Sequence, residues 1–469
     1  MKAGQKRKRA NLNSVIIGGG LAGTEAAWQL AKRGVRVTLF EMRPRRSSSA
    51  HSTSNLAELV CSNSLGADQP TSPAGILKQE LRRLDSLIIR CAETTRVPAG
   101  KALAVDRNLF SEMITNEIAA HPNIELVRAE VSEIPEEPSI IAAGPLMSGG
   151  IVERLREIVG EDCLSFFDAA SPIVTLDSVD MNIAYNASRY GAGNDYINCP
   201  VEREDYLAFH SQLTAAERVP TGEIDAPPGG TIPDKERFFE GCLPIEIMAD
   251  RGVDTLRFGP MRPVGLENPS TGREPYAVVQ LRRDNLDGNL YNMVGFQTNL
   301  RWPEQKRVLR MIPALARAEF VRYGVMHRNS FVCAPRVLDP CLRPGRDGKP
   351  FRRDLFLAGQ ITGVEGYVES AATGLVAALN LFSITRNEEP PEWPAETAIG
   401  ALLRYLRTAE AGSFQPMNVN LGIFPKIDTA TSGGKKMKTG KPQRSLLYAE
   451  RSKEFLERFL AHYSLLDKK

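Results

Sequence analysis

The sequence predicts an α/β protein: a parallel-sheet nucleotide-binding domain, interrupted by an α+β insert and followed by a C-terminal helical extension. Three observations predict it. A strand, a glycine turn, a helix and a second strand follow one another near the start, in NSVII, GGGLAG, TEAAWQLAKRG and VRVTLFE. A second strand–turn–helix pattern, LFLAGQITGVEGYVESAATGL, returns near the other end. Between them lie apolar runs joined by DNLDGN, a turn-rich link suited to an antiparallel hairpin.

The first glycine turn reads as a dinucleotide cradle. Gly18 permits the tight turn, Gly20 lets backbone approach a pyrophosphate, and Gly23 allows helix to pack closely on strand. Gly19, Leu21 and Ala22 complete the cradle, where the helix N-terminus offers free N–H groups to phosphate. Glu41 ends the second strand. A carboxylate there binds ribose hydroxyls and disfavours a 2′-phosphate, which favours FAD or NAD over NADP. Arg43 stands beside it and is counted with the same site. The late segment narrows the choice. Flavoproteins with such a first turn often close the ring site with a late strand–turn–helix, so the chain reads as a Rossmann-like FAD-binding fold. Gly359, Gln360, Gly363, Glu365 and Gly366 are then expected near the flavin. A plain crossover helix of the same sheet is compatible with that reading.

The remaining elements follow in order. ILKQELRRLDSLIIRCAE reads as one helix from Ile76 to Glu93, and Asp106 caps the helix that follows ALAV. IELVRAEV and SIIAAG read as strands, with IVERLREIVG a helix. DTLRFGPMRPVGL, YAVVQLRRDN and LYNMVGFQTNL read as antiparallel strands, and WPEQKRVLRMIPALARAEFVRYG as helix. The expected domains are residues 1–184 and 331–387 for FAD, 185–330 for the insert, and 388–469 for the helical extension.

At 469 residues the chain exceeds one hydrophobic core. Its 59 basic and 56 acidic residues leave a net charge of +3, so overall charge demands no nucleic-acid partner. Local basic runs, KRKR, RPRR and KKMKTGKPQR, allow phosphate contact or simple solvation. The basic start runs into VIIGGG, too short for an export signal, and no membrane span is expected. Seven cysteines without a CxxC pair predict neither a disulfide scaffold nor a zinc site, and a cytoplasmic location. Cys242, in FEGCLPIEIMA, reads from its neighbours as either a buried thiol or a nucleophile.

HSTSNLAELVCSNSL, VPAGKALAVDR, FFEGCLPIEIMADRGVDTLRFGPMRPVGL, YNMVGFQTNL, LFLAGQITGVEGYVESAATGL and FQPMNVNLGIFP together resemble the bacterial methylenetetrahydrofolate–tRNA-(uracil-5-)-methyltransferases. The resemblance runs from Val15 through Pro425. It implies methylation of uracil C5 in the tRNA T-loop, with methylenetetrahydrofolate as carbon donor, FAD as electron carrier, and NADH or NADPH as reductant. No obligate protein partner is implied. A sister flavoprotein that modifies wobble uridine with a partner, or a noncatalytic RNA-binding flavoprotein, is the alternative. The resemblance makes Cys242 and Cys61 the expected catalytic thiols, without fixing which attacks uracil C6. Arg251, Arg257 and Arg262 are candidates to activate Cys242. His51, Glu58, Glu365 and Glu369 are candidates for proton handling. Asn292, Gln297 and Asn299 are candidates for the folate edge. Arg43, Arg45, Arg46, Arg322, His327 and Arg328 are candidates for RNA phosphates.

Overall fold

The computed structural model of the chain describes residues 13–48, 50–160, 164–220, 243–427, 431–432, 435–436 and 440–463. Five short strands form a parallel sheet: Asn13–Ile17, Arg36–Phe40, Ile124–Val127, Ser139–Ile141 and Leu355–Leu357. Asn13–Ile17 is central, between Arg36–Phe40 and Ser139–Ile141, and Leu355–Leu357 extends the sheet beyond Ser139–Ile141. The late strand therefore joins the sheet that the first strand began. Parallel pairing needs crossovers, and these place helices on the faces.

Two of those helices touch through small residues. Leu21–Ala31 follows the glycine turn, and Tyr367–Thr385 lies against it. A Cβ on Gly374 would sit 2.2 Å from the Ala22 carbonyl oxygen, so only glycine allows the approach. The 19-residue helix Tyr367–Thr385 is apolar and long enough to cross a membrane by those criteria alone, but here 89% of its apolar window is buried inside the protein.

The expected helix Ile76–Glu93 is two helices, Pro73–Arg83 and Leu87–Thr94. Asp85 takes φ +54° between them, and Ser86 caps the second by accepting from Ile89 N–H. Helical periodicity alone did not show the break, because the apolar stripe continues across it.

The second domain is a six-stranded sheet. Its order is Tyr185–Asn186, Tyr196–Val201, Ala277–Arg283, Leu290–Met293, Ile173–Thr175 and Phe320–Arg322. The hairpin across DNLDGN is present and antiparallel. Ile173–Thr175 belongs to this sheet, upstream of the expected start of the insert at residue 185. Two other segments differ from expectation. Thr255–Phe258 is a helical turn, and the stretch from Trp302 divides into helix Trp302–Leu309 and strand Phe320–Arg322. Leu164–Ala169 and Met326–Phe331 pair with each other as a separate two-stranded antiparallel ribbon.

The C-terminal helices Ala398–Thr408 and Lys441–Tyr463 pack into the core built on the parallel sheet. Leu402, Leu406, Leu456, Phe459 and Leu460 share its hydrophobic core. Buried Glu80 ties three elements together. Its carboxylate accepts from Ala398 N–H at 2.5 Å, Ile399 N–H at 2.9 Å and the Ser452 hydroxyl at 2.5 Å. Glu80→Ala would leave these donors unsatisfied and is expected to destabilise the first domain by about 3 kcal/mol. Thermal unfolding checks this, and an unchanged midpoint would show that water replaces the carboxylate without loss.

Candidate active site

A cleft of about 490 Å³ opens between the first glycine turn, the late helix and the two-stranded ribbon. Gly18, at φ +108°, is pressed so closely that a Cβ would lie 2.3 Å from the Ala142 carbonyl oxygen. A Cβ on Gly23 would lie 1.8 Å from the Gly18 carbonyl oxygen. Gly20 has nothing within 4 Å of such a Cβ, so its face is clear for a ligand. Gly20 caps the following helix without any side-chain bond, leaving the first-turn N–H groups for an anion. Gly18, Gly19, Gly20, Leu21 and Ala22 line the cleft, whereas Gly23 serves behind it. This cradle fits a dinucleotide pyrophosphate.

Glu41 closes the same end. One of its oxygens accepts from Gly19 N–H at 2.9 Å, and the other accepts from Arg43 N–H and Nε at 3.0 and 2.8 Å. Burial pushes the Glu41 carboxyl up, but the Arg43 hydrogen bond and charge outweigh it and hold the acid below its ordinary range. Arg43 is itself buried and also pairs with Glu58 at 3.0 Å. It lines the cleft but presents no surface to RNA phosphate, which corrects that expectation. Arg46 is exposed and pairs with Glu130 at 2.5 Å.

The late segment meets the cradle across the cleft. Gly359 and Gly366 have φ of +85° and +107°, and both line the cleft with Gln360 and Glu365. Gly363 does not. A Cβ there would strike the Phe414 ring at 2.4 Å, so its role is packing. The Gln360 side-chain amide donates to both oxygens of Glu365 at 2.9 Å. Burial, then the negative charge of Asp168, raises the Glu365 carboxyl to about 8. Glu369 also lines the cleft and accepts from Val419 N–H at 3.0 Å. Burial raises it as well, against the hydrogen bond from Val419 N–H.

Cys61 is half-buried on the cleft wall. Its N–H donates to the Tyr367 hydroxyl at 2.9 Å, and Ser62 N–H donates to the same oxygen at 3.2 Å. Its thiol donates to the Ala169 carbonyl at 3.4 Å. The helix that starts at Tyr367 thus fixes the turn carrying Cys61. Three other thiols are unsuited to chemistry at neutral pH: burial raises Cys91 and Cys199 to about 12 and Cys341 to about 11.

The ribbon supplies polar groups that sequence reading missed or misplaced. Asp168, His327 and Asn329 line the cleft from adjacent strands, with Asp168 directly opposite His327. Among the described residues, His327 Nδ1 and Asn329 Oδ1 are buried without a hydrogen-bond partner, two orphaned polar atoms on a ligand-sized cavity. Asp168 and Asn329 had no signal beyond polarity within a strand, since their pairing spans the whole insert. Burial, opposed by Asp168 and assisted by Arg322, lowers the His327 imidazole. His327 is therefore a neutral cleft residue and not a phosphate contact.

Several other expectations are corrected. Arg322 turns inward and donates to the Val60 carbonyl at 2.7 Å, and Arg328 is buried. Glu58 accepts from Ser52 and Thr53 as well as Arg43, which makes it the organiser of that loop. His51 does line the cleft as expected, and burial, then the Arg43 charge, lowers it to about 4, so it is neutral at pH 7. Asn292, Gln297 and Asn299 do not line the cleft. The Asn299 side-chain amide instead donates to the Val219 carbonyl at 2.7 Å. Arg257 is taken by Asp254 and lies 3.6 Å from the Tyr276 ring centroid. Cys242 lies outside the described residues.

Comparison with known proteins places this geometry. Residues 13–389 match the family model described as glucose inhibited division protein A. The methylenetetrahydrofolate–tRNA-(uracil-5-)-methyltransferase TrmFO of Natranaerobius thermophilus is 53% identical over 452 residues, covering 95% of this chain and 99% of the relative. The TrmFO of Moorella thermoacetica is 56% identical over 416 residues, covering 88% of this chain and 92% of the relative. The solved Aquifex aeolicus GidA, in its form II crystal, shares the fold. Its TM-score is 0.64 at 15% identity, with 97% of this chain and 75% of that chain covered. A glycine cradle, a carboxylate beside it and a thiol lining the same cleft are thus set in a sequence more than half identical to the two TrmFO relatives along most of its length, and the chain belongs to the methylenetetrahydrofolate–tRNA-(uracil-5-)-methyltransferase TrmFO family.

Proposed function

We propose that the cleft holds FAD and is where a folate-borne carbon is joined to C5 of a T-loop uridine in tRNA. The observation that carries this is the placement of Cys61. It shares one cleft with the dinucleotide cradle and is fixed there by the residue that begins the late helix. Gly18 to Ala22 and Glu41 would hold the pyrophosphate and ribose of FAD. Gly359, Gln360, Glu365 and Gly366 would border its ring. When bound and reduced, FAD supplies the electron pair that takes the carbon from the methylene to the methyl level.

Uracil C5 is a weak nucleophile, so the chain must first activate the base. The Cys242 sulfur adds to C6, and the electron pair of the C5–C6 bond moves towards O4. C5 then attacks the folate methylene, and one of that carbon's two bonds to folate nitrogen breaks. Loss of the C5 proton expels the remaining folate nitrogen and leaves an exocyclic methylene; hydride addition to that carbon then forms the methyl group as the sulfur departs from C6 and the C5–C6 double bond returns. Cys61, on the cleft wall, takes the C5 proton in this scheme. The target base must leave its stack to reach the cleft. A reduced nicotinamide resupplies the electrons, in the cytoplasm and without an obligate protein partner. We place the insert between the two strands of the ribbon, which makes Leu164–Ala169 and Met326–Phe331 the domain connection.

The first test follows label from methylenetetrahydrofolate into undermethylated tRNA with FAD and reduced nicotinamide present. Label is expected in the T-loop fragment after nuclease digestion. Label confined to the anticodon fragment, or none, would reject the reading.

Glu365 gives this reading a pH dependence. A carboxyl raised to about 8 keeps its proton at pH 7 and loses it as pH rises through 8. Methyl transfer that uses this proton should fall on the alkaline side, and Glu365→Gln, which cannot ionise, should flatten that limb. A variant that keeps the wild-type alkaline limb would assign it to another group.

A further inference from the structure

We infer that Arg282 is a positioning residue for Cys61, and that it makes the placement of this thiol depend on the second domain. The inference rests on Cys61 acting in the reaction proposed above.

Arg282 lies on strand Ala277–Arg283 of the second sheet and is only 7% exposed. Its Nη2 donates to the Ser62 hydroxyl at 2.7 Å, and its Nε donates to the Asn63 side-chain carbonyl at 3.0 Å. These are the two residues directly after Cys61. No carboxylate pairs with Arg282 among the described residues. The nearby Asp284 is instead bound through both oxygens to Arg107, at 2.8 and 3.1 Å. A buried guanidinium without a paired anion is costly, and burial disfavours its charge here. Both of its hydrogen-bond acceptors are neutral, and both belong to the turn that carries Cys61.

The grip on the Cys61 turn is shared between domains. Asn63 spends both amide hydrogens, donating to the carbonyls of Val105 and Arg283 at 2.9 Å each. Arg322 holds the Val60 carbonyl at 2.7 Å, and Arg107 holds the Leu59 carbonyl at 3.1 Å. Tyr367 and Arg107 come from the first domain, and Arg282 and Arg322 from the second. Arg282 is the cation that binds the side chains of both residues after the thiol, Ser62 and Asn63. Strand Ala277–Arg283 pairs with neighbours on both sides, so a shift of the second sheet is passed directly to Ser62 and Asn63. Substrate that seats against the second domain would in this way set the thiol in place.

The test uses the full chain with bound FAD and compares wild type, Arg282→Met, Arg282→Lys and Cys61→Ala. The readouts are FAD content, KM for tRNA, and the single-turnover rate of methyl transfer. Arg282→Met should retain FAD and a KM within about 2-fold, while the transfer rate falls about 100-fold. Arg282→Lys, which restores the charge but not the fork, should recover about 10-fold of that loss. A purely structural role would instead lower FAD content and raise KM together, and that pattern would overturn the inference. A normal transfer rate in Arg282→Met with an inactive Cys61→Ala overturns the inference and leaves the proposed reaction standing. A fully active Cys61→Ala overturns both. If Arg282→Met does not fold, Ser62→Ala decides, since it removes one of the two bonds and no charge. A rate reduced about 5-fold at unchanged KM supports the inference, and an unchanged rate overturns it.

Discussion

Gly23→Ala is expected to yield a folded, colourless protein. The added Cβ would lie 1.8 Å from the Gly18 carbonyl oxygen, a backbone atom that has no rotamer by which to escape. Gly18 cannot retreat either, because its own far side is closed by the Ala142 carbonyl at the end of the neighbouring strand. The turn must therefore shift as a unit, and the cradle shifts with it. A loss of FAD affinity of about 100-fold or more follows, equivalent to about 2.7 kcal/mol of binding free energy. Gly20→Ala is the contrasting variant. Nothing lies within 4 Å of its Cβ, so the fold is undisturbed and only the approaching ligand meets the methyl group. It should unfold at the wild-type temperature and bind FAD about 10-fold more weakly. Titration of the purified apoprotein with FAD checks both. Wild-type affinity in Gly23→Ala would mean that the turn does not contact the dinucleotide.

Cys61→Ala is expected to keep FAD and lose methyl transfer. The bonds from Cys61 and Ser62 to the Tyr367 hydroxyl come from backbone N–H groups, so they survive the substitution. Only the weak thiol bond to the Ala169 carbonyl is removed, which costs less than about 1 kcal/mol of stability. The transfer rate should fall by about 1,000-fold or more, or about 4 kcal/mol in the barrier, because no other described thiol lines the cleft. Cys91→Ala is the control. That thiol is buried, raised to about 12 and absent from the cleft lining, so its loss should leave the rate unchanged.

The parts of this site that were legible in the sequence are those in which one short segment does the work. GGGLAG followed by a helix dictates a cradle because the turn, the close approach and the helix N-terminus are all local. Glu41 was legible because a strand of known length carries it to the same edge. Cys61 was visible in its sequence block, but its hydrogen bond to Tyr367 joins segments separated by most of the chain. Asp168 and Asn329 were invisible for the same reason, since antiparallel pairing across the insert brings them to one wall. Arg43 and Arg322 were misread as RNA contacts. An arginine in a basic run looks solvent-facing until the fold supplies buried acceptors, here Glu41 and Glu58 for Arg43 and the Val60 carbonyl for Arg322. The break at Asp85 escaped notice because the apolar stripe runs on through it, while the positive φ is a backbone property that Asp tolerates without announcing.

The central claim is that one cleft holds both the flavin cradle and the thiol chemistry that carries a folate carbon to tRNA. Single-turnover transfer of labelled methylene from methylenetetrahydrofolate to tRNA, run side by side with FAD-loaded wild type and FAD-loaded Cys61→Ala, tests it most directly. Label should reach uridine C5 with the wild-type protein and be absent with the variant at equal FAD content. Equal transfer by both proteins would contradict the claim.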